Sequence, residues 1–155
     1  LHEWNIKNVY RGLVTRKEAK KRIFAWLYNP NSKDYLSNQA YQRDSVVKKY
    51  YNKDQVTTFF NRKIEADKHH ALNYIIQSTA ADLFFNQMIK TWELLEGRKS
   101  KIVFCMHDSL VIDYCEKDND ILVKLKKVFS KTDLGNFMVN VSVGKNYGEM
   151  KKLSI

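Results

Sequence analysis

Arg16, Lys20, Phe24 and Tyr28 recur every four residues, so on a helix they share one slowly drifting face. Two cations followed by two aromatics suit a triphosphate at one end and a sugar and base at the other. Lysine and arginine bring charge and donors for phosphate, and aromatic faces stack on bases. The same stripe also fits an amphipathic helix with a solvated basic side and a buried aromatic side. A second pair, Asn73 and Gln77, is also four apart, in a stretch otherwise apolar enough to be buried. Side-chain amides there need partners. Those partners are either minor-groove acceptors common to all base pairs or loop backbone. A third feature is His107-Asp108-Ser109, set between the apolar runs Ile102–Met106 and Leu110–Ile112. It reads as a tight turn joining two strands. An aspartate favours such a turn, but a histidine beside it is not required.

The elements that must position these residues follow from local signals. Thr15 and Glu18 form a capping box that opens a helix over Thr15 to Leu27, and Asn29-Pro30 stops it. Residues 29 to 42 are polar and turn-rich, a loop with room for a short helix, and Ser45 to Tyr51 suits another helix. Gln55 to Ile64 reads as a β-hairpin. Ala71 to Leu95 carries Leu72, Ile75, Ile76, Leu83, Phe84, Met88 and Leu95 at helical spacing and ends at Gly97. After the His107-Asp108 hairpin, Asp118 or Asn119 is expected to cap a helix bearing Ile121, Leu122, Leu125, Val128 and Phe129. Phe137 to Val143 alternates as a last strand. The order predicts an α+β fold with an antiparallel sheet.

Composition limits the partners. Of 155 residues, 44% are hydrophobic and 13% aromatic, which excludes a disordered chain. A net charge of +10 favours a polyanion, through phosphate contacts and counterion release. Cys105 and Cys115 fit no zinc spacing and are expected to be reduced, in or near the core of an intracellular protein. No apolar run approaches the roughly 20 residues of a membrane span, and no signal peptide is visible. The first residue is Leu1 rather than methionine, which fits a portion of a longer polypeptide.

Taken together and in this order, four stretches resemble family A DNA polymerases, the bacterial polymerase I-like group. Arg16, Lys20, Phe24 and Tyr28 fall on that family's fingers helix. Asn73, Gln77, Thr79, Ala80, Ala81 and Asp82 match its long palm helix. His107 and Asp108 match its palm hairpin, and Val143-Gly144-Lys145-Asn146-Tyr147 is close to its C-terminal motif. Thr58 to Lys63 looks like the segment preceding the palm helix.

The resemblance implies an antiparallel palm sheet packed on long helices, with a partial fingers region at 1–52 and the C-terminal part of the palm at 53–155. It implies that Arg16 and Lys20 hold the phosphates of a dNTP, with Phe24 against its sugar and Tyr28 near the templating base. Asn73, Gln77 and His107 would touch the primer-template DNA, and Arg62 would hold a backbone phosphate. Asp108 would ligate magnesium, one of two Mg2+ ions in the complete site, and Asp108 and Lys20 would be catalytic. Cytoplasmic location is expected, that of the host if the source is a phage or virus.

The pattern breaks in places. Ser109 stands where the family has glutamate, His69 where it often has arginine, and Asn29-Pro30 where a glycine follows the tyrosine. The segment to Tyr51 is shorter than the corresponding fingers segment. No Asp-Tyr-Ser-like strand, which supplies the family's other metal-binding aspartate, occurs in residues 1–15. One aspartate will not hold two ions. Asp113 has opposite side-chain parity to Asp108 and is a poor substitute. An N-terminal polymerase segment carrying the missing aspartate is therefore an expected partner, and this chain alone is expected to be inactive. Two other readings stand beside this one. A phage-type single-subunit RNA polymerase shares the fold and uses His-Asp-Ser at its hairpin. A non-catalytic nucleic-acid-binding module could also keep the fold.

Overall fold

The computed structural model describes residues 2–155 and is α+β. It falls into two compact units, one ending at Ala80 and one running from Ala81 to Ile155.

The first unit opens with α1 (His2–Asn8) and α2 (Arg16–Tyr28). The predicted capping box is present: the Glu18 amide donates to Thr15 Oγ1, and Glu18 Oε2 accepts from the Thr15 amide at 2.7 Å. Asn29, ahead of Pro30, is extended and ends the helix. Ala19 and Trp26 are the buried residues of α2. Ala19 packs with Val9 and Tyr10, and the Trp26 ring lies under the Arg43 guanidinium at 4.7 Å and beside Tyr41. The polar region after Pro30 forms the short α3 (Tyr35–Tyr41), capped by Asp34, and then α4 (Arg43–Tyr50). Asp34 also takes two bonds from Arg22, both 3.0 Å, fixing α2 to this cap. Burial alone would raise the Asp34 pKa, but the Arg22 bonds and the Ser37 amide outweigh it and hold it low.

Strands β1 (Tyr51–Asn52), β2 (Gln55–Thr57) and β3 (Lys63–Glu65) form an antiparallel sheet with Val56 opposite Ile64. Val56 joins Ala66, Ala71 and Ile75 in a small core, closed by Val46, Val47 and Tyr50. Ala71 and Ile75 belong to α5 (Ala71–Leu94), the longest helix described. The division between units falls inside α5.

In the second unit, β4 (Lys101–Met106) and β5 (Ser109–Asp113) make an antiparallel hairpin with a register shift between Ile102 and Phe104. The turn is His107-Asp108 alone, because Ser109 already pairs with Met106. The α6 helix (Ile121–Ser130) packs Phe129 edge-on against Phe84 of α5 at 5.7 Å. Buried Gln87 donates to the carbonyls of Val128 and Lys131, where α6 ends. Beyond it lie two more small antiparallel pairs, β6 (Lys131–Thr132) with β7 (Gly135–Asn136) and β8 (Val141–Val143) with β9 (Lys151–Leu153).

Four expectations change here. Neither Asp118 nor Asn119 caps α6. Asp120 takes that position without a capping bond from its side chain, which accepts from Arg98 and Lys124 instead. Buried Asp118 accepts from the amides of Lys99 and Ser100 and from the Ser100 hydroxyl. Those bonds, the Ser100 amide first, lower the Asp118 pKa. The strand expected over Phe137 to Val143 covers only Val141–Val143, the stretch that meets a partner edge, and that partner, Lys151–Leu153, is a further strand after it. One antiparallel sheet is therefore replaced by four small ones among the described residues. Finally, Cys105 is exposed rather than near the core, while Cys115 is half-buried.

Candidate functional site

The α2 stripe faces outward. Phe24 is 41% exposed and Tyr28 50%, so the aromatic half of the stripe is not the buried side of an amphipathic helix. Ala19 and Trp26 fill that role and turn the other face to solvent. The stripe is ordered internally. Lys20 Nζ lies 5.8 Å from the Phe24 ring centre, and the Phe24 and Tyr28 rings are within 9° of parallel with centroids 6.1 Å apart. Arg16, at the start of α2, makes an exposed ion pair with Glu3 at 3.4 Å. Such a pair contributes little and gives way readily to a phosphate.

The stripe ends on α5. Gln77 is exposed, and its Nε2 donates to the Tyr28 hydroxyl at 3.1 Å. The two amides thus differ. Gln77 reaches a side chain on another helix, whereas Asn73 Oδ1 is buried and has no partner among the described residues. Thr79 and Ser78 carry a third element. The Phe59 amide donates to Thr79 Oγ1, and Arg62 Nη2 donates to the Ser78 carbonyl at 3.3 Å. The turn from Thr58 to Arg62 closes on itself through bonds from the Thr58 amide to the Arg62 carbonyl and from the Arg62 amide to Thr58 Oγ1. Arg62 is thereby presented beside the Gln77 end of α5. Nothing in the sequence marks the Thr79 hydroxyl as the acceptor for the Phe59 amide.

His107 and Asp108 belong to the second unit. Both are exposed at the hairpin turn, and His107 has φ +54°, a left-handed conformation that histidine tolerates better than most residues. Phe104 of β4 meets Tyr147 edge-on at 5.7 Å, which brings the Val143–Gly148 loop to the hairpin. That loop is fixed by Asn146, which accepts from the Gly148 amide and donates to Glu149. Gly144 is required there: an added Cβ would lie 2.7 Å from the Glu149 carbonyl oxygen.

The residues present do not fit a magnesium pair. Asp108 offers one exposed carboxylate, and no group of three His, Cys, Asp or Glu side chains capable of holding an ion occurs among the described residues.

The comparisons with known proteins agree with the ordered motifs. Residues 8–150 match the model of DNA polymerase family A. The chain belongs to that family. DNA polymerase I of Caldicellulosiruptor bescii is 32% identical over 154 residues, covering 89% of this family A chain and 18% of that protein. DNA polymerase I of Borreliella burgdorferi is 25% identical over 150 residues, covering 88% of the chain and 16% of that protein. The family A chain thus spans less than a fifth of the length of these curated relatives. The assignment favours the DNA polymerase family over the RNA polymerase reading. No helix among the described residues is long and apolar enough to cross a membrane.

Proposed function

We propose that the chain is the fingers-and-palm portion of a template-directed DNA polymerase, which adds dNTPs to a primer 3′-hydroxyl. The single observation that supports this best is the outward stripe from Lys20 through Phe24 and Tyr28 to Gln77. In this reading residues 1–52 are fingers and 53–155 palm. Arg16 and Lys20 bind the triphosphate, Phe24 lies along its sugar, and Tyr28 stacks by the templating base. Gln77 and Asn73 read minor-groove acceptors, Arg62 holds a backbone phosphate, and His107 orients the primer end. Asp108 is one carboxylate of the catalytic centre. The remaining carboxylate comes from polypeptide outside these 155 residues, in the same chain or in a partner.

Primer extension by the purified chain tests this. The chain should bind primer-template DNA, with affinity falling steeply as salt rises, and should leave the primer unextended. Adding a polypeptide that carries the Asp-Tyr-Ser-like strand, or joining it in one chain, should give magnesium-dependent extension. Asp108→Ala should return that extension to background without weakening DNA binding. Robust extension by the 155-residue chain alone would overturn the incomplete-site reading. Salt-dependent DNA binding with no extension in any combination would identify a non-catalytic module.

A further inference from the structure

The Tyr28 hydroxyl has a task that ring stacking does not need. Its oxygen accepts from Gln77 Nε2 at 3.1 Å, across 49 positions of sequence. A glutamine amide has two ends, a donor NH2 and an acceptor oxygen. The minor-groove acceptors shared by all base pairs, purine N3 and pyrimidine O2, require the donor end. An exposed long side chain swings freely, and most of its positions take the amide away from those acceptors. The Tyr28 bond limits that freedom: as seen it takes one Nε2 hydrogen and leaves the second on the same nitrogen for a base. Because a phenol can also donate, the bond fixes where the amide lies rather than which of its ends faces out. The Tyr28 ring is itself aligned by Phe24, with Lys20 at the far side of Phe24. Both helices contribute only exposed side chains to this junction, so it is not a packing contact of the core.

We infer that Tyr28 is a positioning residue for Gln77, holding its amide in place so that minor-groove readout on α5 is coupled to the nucleotide-facing stripe of α2. This rests on the reading of Gln77 as a groove contact, and the test separates the two. Primer-templates are compared in which the primer-terminal guanine is natural or is 3-deazaguanine, which lacks the N3 acceptor. Binding of each to the 155-residue chain is measured by fluorescence anisotropy. The wild type should bind the 3-deaza primer roughly two- to tenfold more weakly, the ordinary worth of one neutral hydrogen bond. Gln77→Ala should erase that ratio. Tyr28→Phe, which keeps the ring and loses only the hydroxyl, should shrink it by at least half while the melting curve stays in place. An unchanged ratio in Tyr28→Phe, with the ratio lost in Gln77→Ala, would overturn the positioning role and leave the groove contact standing. No ratio in the wild type would overturn both.

Discussion

The α2–α5 face and the β4–β5 hairpin both present polar residues to solvent, yet they are built differently. On the α2–α5 face each functional side chain leans on the next: Lys20 on Phe24, Phe24 on Tyr28, and Tyr28 on Gln77. The helix beneath is capped at Thr15 and bolted down through Ala19, Trp26 and the Arg22–Asp34 bonds. At the hairpin, His107 and Asp108 stand exposed on a two-residue turn, with one carboxylate where a metal pair needs several. Recognition groups for a nucleotide can be assembled from local helix periodicity. A centre that joins carboxylates from distant strands cannot be completed by one hairpin. In the proposed function the first face would bind by itself, and the second would supply one part of a larger centre.

The largest expected effect tests that self-sufficiency. Lys20→Ala removes the charge in the middle of the stripe and touches no buried group. Loss of charge-assisted phosphate bonds, about 1.5–3 kcal/mol, weakens dNTP binding roughly ten- to a hundredfold. Titration of a fluorescent dNTP into the chain with primer-template present measures it, and affinity for the DNA itself should hardly move. If DNA affinity fell by the same factor, the stripe would be a general phosphate surface and the contrast with the hairpin would collapse.

What could be read in advance follows the same divide between local and distant. The capping box, the stop at Asn29-Pro30, the hairpin and the 24-residue α5 rest on signals within a few residues, and each formed within a residue or two of expectation. The outward direction of Phe24 and Tyr28 was not legible, because spacing defines a face without saying which side is buried. Gln77 and Tyr28 were both singled out, but nothing in the sequence joins them. Among Asp118, Asn119 and Asp120 no local rule chose the cap. The choice was made by Ser100, whose amide and hydroxyl claim Asp118 from 18 positions away. Phe137 to Val143 alternates along its length, yet a strand also needs an edge, and only Val141–Val143 meets Lys151–Leu153.

A smaller effect asks how firmly the second unit's own scaffold is held. Gln87 is 2% exposed and its amide satisfies two carbonyls at the end of α6. Gln87→Ala takes the buried donor away from both part-buried carbonyls, at a cost of about 1–3 kcal/mol. Urea melts should show the midpoint falling while dNTP binding at the stripe persists in the folded protein. Equal loss of dNTP binding under native conditions would mean that the stripe depends on this scaffold.

The smallest effect probes how firmly α2 holds the stripe. Thr15→Ala deletes the cap hydroxyl and should cost about 1 kcal/mol of stability near neutral pH. Its partner makes that cost depend on pH. Glu18 accepts from the Thr15 amide first and from its hydroxyl second, and these bonds hold its carboxyl below the usual range, with Arg22 adding a smaller attraction. A carboxyl depressed in the folded state stabilises only while it is ionised. The contribution is therefore complete above the unfolded glutamate value of about 4.3 and drains away as pH falls towards the lower folded value. Other depressed carboxyls, Asp34 and Asp118 among them, lose stability over the same range in both proteins, so the informative quantity is wild type minus variant. Paired thermal melts between about pH 6 and about pH 3 should show that difference narrowing as Glu18 is protonated. A difference that stays constant across the range would mean that the Thr15 hydroxyl adds nothing to the Glu18 carboxylate's hold on the cap, the backbone amide of residue 15 being present in both proteins.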